Sequence, residues 1–234
     1  MKYYERKLNL ELDKFKIILW DKYNKDVWNL FKLVYAFSLL ADWLISIKEL
    51  YLTKKYDNLK IEHYIITIKS SLINSLKIAL LSLEHELYLD YRNILESLLK
   101  YFYFLENPMK YVIYNWDNYI SFSNDLIEYF KKHPYFKPYV STNLWEIKKI
   151  YWEISEKLHD PILSKIKNTN FLNEIEYDAN IISWWLKMFE KMFKKLVFFS
   201  AIFNKNIIND LPNESRDLII SIMKDKDFNK IIWR

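Results

Sequence analysis

The sequence predicts an all-α fold, a multi-helix bundle of long antiparallel helices with no sheet. The first observation behind this prediction is that none of the 234 residues is glycine, whereas average usage of about 7% would give roughly 16. The second is that apolar residues recur at the helical spacing i, i+3, i+4 and i+7 along almost the whole chain. The third is that no stretch shows the period-two alternation of a strand flanked by turn residues.

The missing residue types exclude several classes of chemistry. Without glycine the chain has no Gly-rich phosphate loop, no dinucleotide-binding turn and no nucleophile elbow, because each of these needs glycine to bring the backbone close. Cysteine is also absent, which excludes disulfides, thiolate metal sites and cysteine nucleophiles. An AT-rich coding bias would produce the same Lys-, Asn- and Ile-rich composition, but the exclusions hold whatever the cause.

The charge and hydropathy of the chain indicate a cytoplasmic soluble protein. The formal net charge is +5, and the lysines form only short clusters, so nucleic acid is permitted as a partner and is not required. Those clusters are Lys54-Lys55, Lys131-Lys132, Lys148-Lys149 and Lys194-Lys195. The most apolar stretch, Leu30 to Ile47, contains Lys32 and Asp42 and falls short of the ~20 clean apolar residues of a transmembrane helix. We therefore predict no transmembrane segment, with a peripheral membrane contact through this helix as the alternative.

The first half of the chain reads as three helical regions. A helix is predicted over 3–20, and a second begins near Val27, where the apolar stripe extends to Ile47. Residues 54–60 read as a turn. A long helical region then covers 61–105, as one helix or as two with a break near 83–90.

In the second half, turn residues separate shorter helices. Asn107-Pro108 ends the long region, because proline disfavours the helical conformation in the residue before it. Asn143 followed by Glu146 resembles a capping arrangement, and Asp160-Pro161 stops the helix that it opens. The remaining helices are predicted over 109–115, 119–132, 177–203 and 213–224. We expect a single helical domain over 1–234, with an N-terminal add-on at 1–55 and a core bundle at 56–224.

Two pairs of polar residues are the candidate site. Arg92 is one of four arginines among 35 basic residues, and Glu96 lies one turn later, where either an intrahelical ion pair or a polar site shared with another helix would form. Ser155 and His159 also lie one turn apart, and histidine is the side chain best suited to acid–base work at neutral pH. For His159 the alternative is a structural role, because a helix C-terminus favours a positive charge.

The segments around these pairs carry a family resemblance. Asp90–Pro108 contains Arg-x-x-x-Glu, Tyr151–His159 contains Tyr-x-x-x-Ser-x-x-x-His, and 177–203 is a long apolar helix. Over roughly 82–204 the chain resembles a group of uncharacterised prokaryotic all-helical proteins with this pattern. That group is similar in architecture to the HEPN superfamily of helical bundles, which occurs in toxins, phage-defence and RNA-processing proteins.

The resemblance implies metal-independent RNA cleavage at a dimer interface. Arg92 would bind the phosphate and His159 would act as acid or base, with Glu96 and Ser155 completing a catalytic set. The superfamily signature, however, places its Arg and His within one helix, whereas Arg92 and His159 fall on different helices. Two functions therefore stay open: a non-catalytic binding or regulatory protein in antiviral defence or stress, with a nucleic-acid, protein or homodimeric partner, or a HEPN-like RNA endonuclease. Neither needs a metal or a cofactor.

Overall fold

Helices dominate the computed structural model, which describes residues 25–51, 58–80, 84–117, 125–134, 136–137, 144–159, 179–203 and 207–223. Within those ranges 91% of the residues are helical and none lies in a strand, which confirms the all-α prediction. The helices are α1 (Lys25–Tyr51), α2 (His63–Leu80), α3 (Glu84–Glu106), α4 (Pro108–Asp117), α5 (Ile127–Lys132), α6 (Trp145–Leu158), α7 (Ala179–Phe203), α8 (Ile207–Asp210) and α9 (Asn213–Met223). The helix predicted over 3–20 lies outside the described residues.

For the region 61–105 the sequence leaves open one helix or two with a break near 83–90. The structure describes two helices, α2 ending at Leu80 and α3 beginning at Glu84. Near the start of α3, His85 and Glu86 are exposed. Leu87 and Tyr88 beside them are buried, so the apolar stripe runs on without interruption.

The boundary between α3 and α4 lies where Asn107-Pro108 predicts it. The backbone N–H of Asn107 donates to the carbonyl of Tyr103, and its side-chain Nδ2 donates to the same carbonyl at 2.9 Å. These bonds satisfy a carbonyl that the end of α3 would otherwise leave unpaired. Pro108 then opens α4 at the position where its missing N–H costs nothing.

The chain divides into two compact units, one of Met1–Leu40 with Tyr177–Arg234 and one of Ala41–Glu176. In the first, Phe37 and Phe193 meet edge to face with ring centroids 6.4 Å apart, and the inner face of α7 is buried. The single-domain organisation and the N-terminal add-on stay predictions.

In the second unit α3 is the central helix and packs against α2, α4 and α6. Its core residues include Tyr91, Ile94, Leu95 and Leu99, each of which is fully buried. The hydroxyl of buried Tyr101 donates to the carbonyl of Leu44 at 2.6 Å, which satisfies a polar atom that the core could not otherwise hold.

α6 runs antiparallel to α3. Glu106, the last residue of α3, bonds to Tyr129 and His133 around α5, and α5 in turn lines a groove with Trp145 at the start of α6. α6 therefore begins near the end at which α3 finishes. The buried face of α6, which consists of Ile147, Ile150, Tyr151, Ile154 and Ser155, can then lie along α3.

Two described helix ends show how turns are made without glycine. The residue after α5, His133, is extended at φ −67° and ψ 130°. The residue after α6, His159, has φ −96° and ψ 2°. Neither uses the left-handed conformation in which helices commonly end at glycine.

One helix among the described residues is long and apolar enough to cross a membrane. The window is Trp28–Ile45 in α1, and 44% of it is buried. The core helix of a soluble protein passes the same test of length and composition, so the window by itself decides nothing.

Candidate functional site

Glu96 is the centre of a polar network between α3 and α6. Arg92 Nε donates to Glu96 Oε1 at 3.0 Å, and the hydroxyl of Tyr151 donates to the same oxygen at 2.9 Å. Lys100 Nζ lies 3.7 Å from the other oxygen, Oε2. Arg92, Glu96 and Lys100 lie on one face of α3 because their spacing is i, i+4 and i+8, and that face meets Tyr151 of α6.

Tyr151 links the network to the core. It is 7% exposed, and the guanidinium carbon of Arg92 lies 5.4 Å from the centroid of its ring, within the range of a cation–π contact. Burial raises the pKa of Tyr151, the hydrogen bond to Glu96 raises it further, and Arg92 and Ser155 oppose the rise. The phenol therefore stays protonated and acts as a hydrogen-bond donor at neutral pH.

Arg92 keeps its positive charge in this setting. Partial burial acts to lower its pKa, but the hydrogen bond to Glu96 and the proximity of Tyr151 outweigh it, so the pKa is raised. Its side chain is 34% exposed. Only Nε is used by the bond to Glu96, and a guanidinium carries further donors that can bind carboxylate or phosphate.

Ser155 lies one turn after Tyr151 and is buried, at 6% exposure. Its hydroxyl oxygen is close enough to lower the pKa of Tyr151 but completes no hydrogen bond to any described group. A buried hydroxyl without a partner costs about 1–3 kcal/mol. Such a group needs a water, a ligand or another explanation.

His159 stands apart from this network. It is exposed at the end of α6, and its backbone N–H bonds to the carbonyls of Ser155 and Glu156. Eight residues separate it from Tyr151, which is about 12 Å along a helix. Within the described ranges its side chain forms no hydrogen bond or ion pair. The structure thus gathers Arg92, Glu96 and Ser155 around Tyr151 and leaves His159 outside.

A second polar cluster joins α3 to α5. Nε2 of His133 lies 2.9 Å from Oε2 of Glu106, and the hydroxyl of Tyr129 donates to the same carboxylate. Burial raises the pKa of Tyr129, and the bond to Glu106 adds to the rise. The sequence gives no signal for this cluster, because the partners of His133 lie in the preceding helices. The side chain of His133 is only 9% exposed, and its contact with Glu106 holds α5 against α3.

The outer face of α6 carries two large aromatic side chains. Trp145 is 56% exposed and Trp152 is 52% exposed. They are seven residues apart, which places them on the same face two turns apart. Lys148 lies between them, with its ammonium 5.4 Å from the centroid of the Trp145 ring.

No metal site is present among the described residues, since none of them form a group of three or more His, Cys, Asp or Glu side chains that could hold an ion.

Comparison of the chain with protein families, with curated proteins and with solved structures gives no match.

Proposed function

We propose that this chain is a non-catalytic helical binding protein that engages a macromolecular partner through the outer face of α6. The observation that carries the proposal is the contrast between the two faces of that helix. One face is buried, whereas Trp145 and Trp152 on the other are each more than half exposed. Tryptophan is enriched in protein interfaces and among the residues that dominate their energies.

The polar network at α3 and α6 supports binding rather than catalysis. The carboxylate of Glu96 accepts hydrogen bonds from Arg92 and Tyr151 and lies 3.7 Å from the Lys100 ammonium, so the protein's own groups already occupy it. The network instead has a structural role. The bond from Tyr151 to Glu96 fixes the position of α6 on α3, and thus the position of the exposed tryptophans.

The HEPN-like resemblance extends the proposal to a biological setting. It favours a role in prokaryotic antiviral defence or stress in the cytoplasm, with nucleic acid, another protein or a second copy of the chain as the partner. Each of these partners would meet the same helix face.

The absence of cysteine allows a direct test with a single introduced thiol. Glu153→Cys puts an environment-sensitive dye on the outer face of α6, where the native side chain is 48% exposed. Lys191→Cys puts the same dye on an exposed site of α7 as the matched control. Each labelled protein is titrated with total cellular RNA, with unlabelled chain and with the protein fraction of a cell extract. We expect the fluorescence of the dye on α6, and not that of the dye on α7, to change with one of the three additions. No fluorescence change of either dye with any of them would refute the proposal.

A second function, a HEPN-like ribonuclease, is favoured by the partly exposed guanidinium of Arg92, of which only Nε is used by the bond to Glu96. Its remaining N–H groups could bind a phosphate of RNA. RNA is incubated in the presence of a metal chelator with the wild type and with His159→Ala and Ser155→Ala. Cleavage by the wild type that both substitutions abolish would establish the enzyme, whereas intact RNA in all three samples supports the binding protein.

A further inference from the structure

Lysines of two helices meet at one groove. Lys131 of α5 and Lys148 of α6 both line a shallow surface groove. The rest of the described lining consists of the exposed aromatic side chain of Trp145 with Ile127 and Leu144, and it includes no acidic residue. We call this surface the α5–α6 groove.

The described lining of the groove carries two lysines and no acidic residue. Lys131 forms an ion pair with Glu128 of α5, and Lys131, Lys132 and Lys148 together hold the pKa of that carboxyl below its usual value. Glu146 lies in the first turn of α6 but does not line the groove. The positive charge is therefore confined to the lining itself.

The shape of the groove restricts how a ligand could bind. It is shallow and encloses no cavity of ligand size, so a ligand would lie across its surface and contact the exposed side chains. Trp145 offers an exposed π surface, and the Lys148 ammonium lies over its ring. An aromatic platform beside lysines matches a chain of alternating bases and phosphates, because bases stack on the ring and phosphates pair with the ammonium groups.

We infer that the α5–α6 groove binds single-stranded nucleic acid, with Trp145 as the stacking platform and Lys131 and Lys148 as the phosphate contacts. This inference rests on the proposed function and names its partner. Stacking on tryptophan uses the flat π surface of the base, which all RNA and DNA bases share. RNA and DNA of the same length are therefore bound with similar affinity.

The test is fluorescence anisotropy with labelled oligouridylate and oligothymidylate of about 15 nucleotides, within the site sizes typical of single-strand binders. We expect both to bind the full-length wild type. Trp145→Ala weakens binding by about 5- to 150-fold, the loss of one stacked base. Lys131→Gln with Lys148→Gln reduces the slope of log affinity against log salt by about 1.4, since each phosphate contact contributes about 0.7.

Two controls lie on α7. Lys187→Gln with Lys191→Gln removes the same charge from exposed sites, and Trp184→Ala removes a tryptophan that is 37% exposed. Both keep wild-type affinity and salt slope if the groove is the site. Equal losses in the control and groove variants would show that binding follows net charge, and unchanged affinity in Trp145→Ala would remove the stacking platform; either result overturns the inference.

The failure of this inference is distinguishable from failure of the proposed function. If neither oligonucleotide binds, while the dye at Glu153→Cys responds to unlabelled chain or to the protein fraction, the α6 face binds a protein and the nucleic-acid inference is wrong. Polyglutamate that displaces the oligonucleotides at equal charge concentration would also refute it, because an acidic chain has no bases to stack.

Discussion

At the scale of single residues, Glu96 receives bonds from two helices. Its Oε1 accepts from both Arg92 and Tyr151, so its loss would affect the packing of α6 as well as an intrahelical pair. The bond to Tyr151 joins residues 55 positions apart. It therefore stabilises tertiary structure, which the bond to Arg92 within α3 does not do directly.

We predict a measurable coupling between Glu96 and Tyr151. Glu96→Ala, Tyr151→Phe and the double variant form a cycle that isolates their hydrogen bond, because each single change removes it. The expected coupling is about 1.5–3 kcal/mol of unfolding free energy, the usual contribution of a hydrogen bond to a charged group. Denaturant titration measures it, and strictly additive losses would show that the bond does not form in solution.

Asp90 carries a charge that the fold disfavours. Burial raises the pKa of Asp90 from its usual 3.8, and hydrogen bonds from Ser71 and Ser75 only partly offset the rise. A raised pKa in the folded state means that stability is full below the unfolded value and falls as the pH rises through the folded value. At neutral pH the ionised carboxylate thus lowers the stability of the protein.

Asp90→Asn is accordingly expected to stabilise the protein at neutral pH. The amide keeps an acceptor for Ser75 Oγ, which lies 3.4 Å from the carboxylate, and removes the desolvated charge. The gain in unfolding free energy should shrink as the pH is lowered toward about 3, where the native carboxyl is protonated too. A gain that is the same at both pH values would contradict the electrostatic cause.

The candidate site could be predicted only in part from the sequence. The spacing of Arg92 and Glu96 fixes their neighbourhood on one helix, and the structure confirms their ion pair. Tyr151 is the missing partner, and spacing within one helix cannot reveal which residue of another helix will face it. The same limit applies to His133, whose carboxylate partner is 27 residues away.

At the scale of helices, α6 has two faces with different tasks. Ile154 is fully buried, whereas Trp152, two positions earlier, is 52% exposed. Substitutions on the buried face should therefore lower the free energy of unfolding, whereas substitutions on the exposed face should affect binding of a partner.

Ile154→Ala is expected to lower the unfolding free energy by about 2–5 kcal/mol, the usual effect of truncating a core side chain. Trp152→Ala should change it by no more than about 0.5 kcal/mol, as is typical of surface positions. Thermal or denaturant unfolding compares the two variants. A large loss of stability in Trp152→Ala would mean that this side chain is structural, and would weaken the proposed binding face.

Helix boundaries were predictable where side-chain chemistry determines them. Asn107-Pro108 marks the end of α3 because proline and the Asn side chain act locally. The junction between α2 and α3 was predicted only approximately, as one of two alternatives near 83–90, because no proline marks it.

At the scale of the whole molecule, the apolar window in α1 raises the question of membrane association. Phe37, Leu40 and Leu44 within it are fully buried, so these side chains are satisfied by protein contacts. The protein is therefore expected to stay in solution without detergent and not to float with liposomes of neutral or anionic lipid. Flotation with liposomes would instead support the peripheral contact through this helix.

The helix ends at His133 and His159 have a further consequence for the unfolded chain. Glycine at such ends would let the denatured backbone sample many more conformations, and the folded state would then lose more freedom on forming. With histidine instead of glycine at these helix ends, the unfolded backbone has fewer accessible conformations, so folding costs less conformational entropy. Part of the stability of this protein therefore comes from a restricted unfolded state and not from contacts in the folded one.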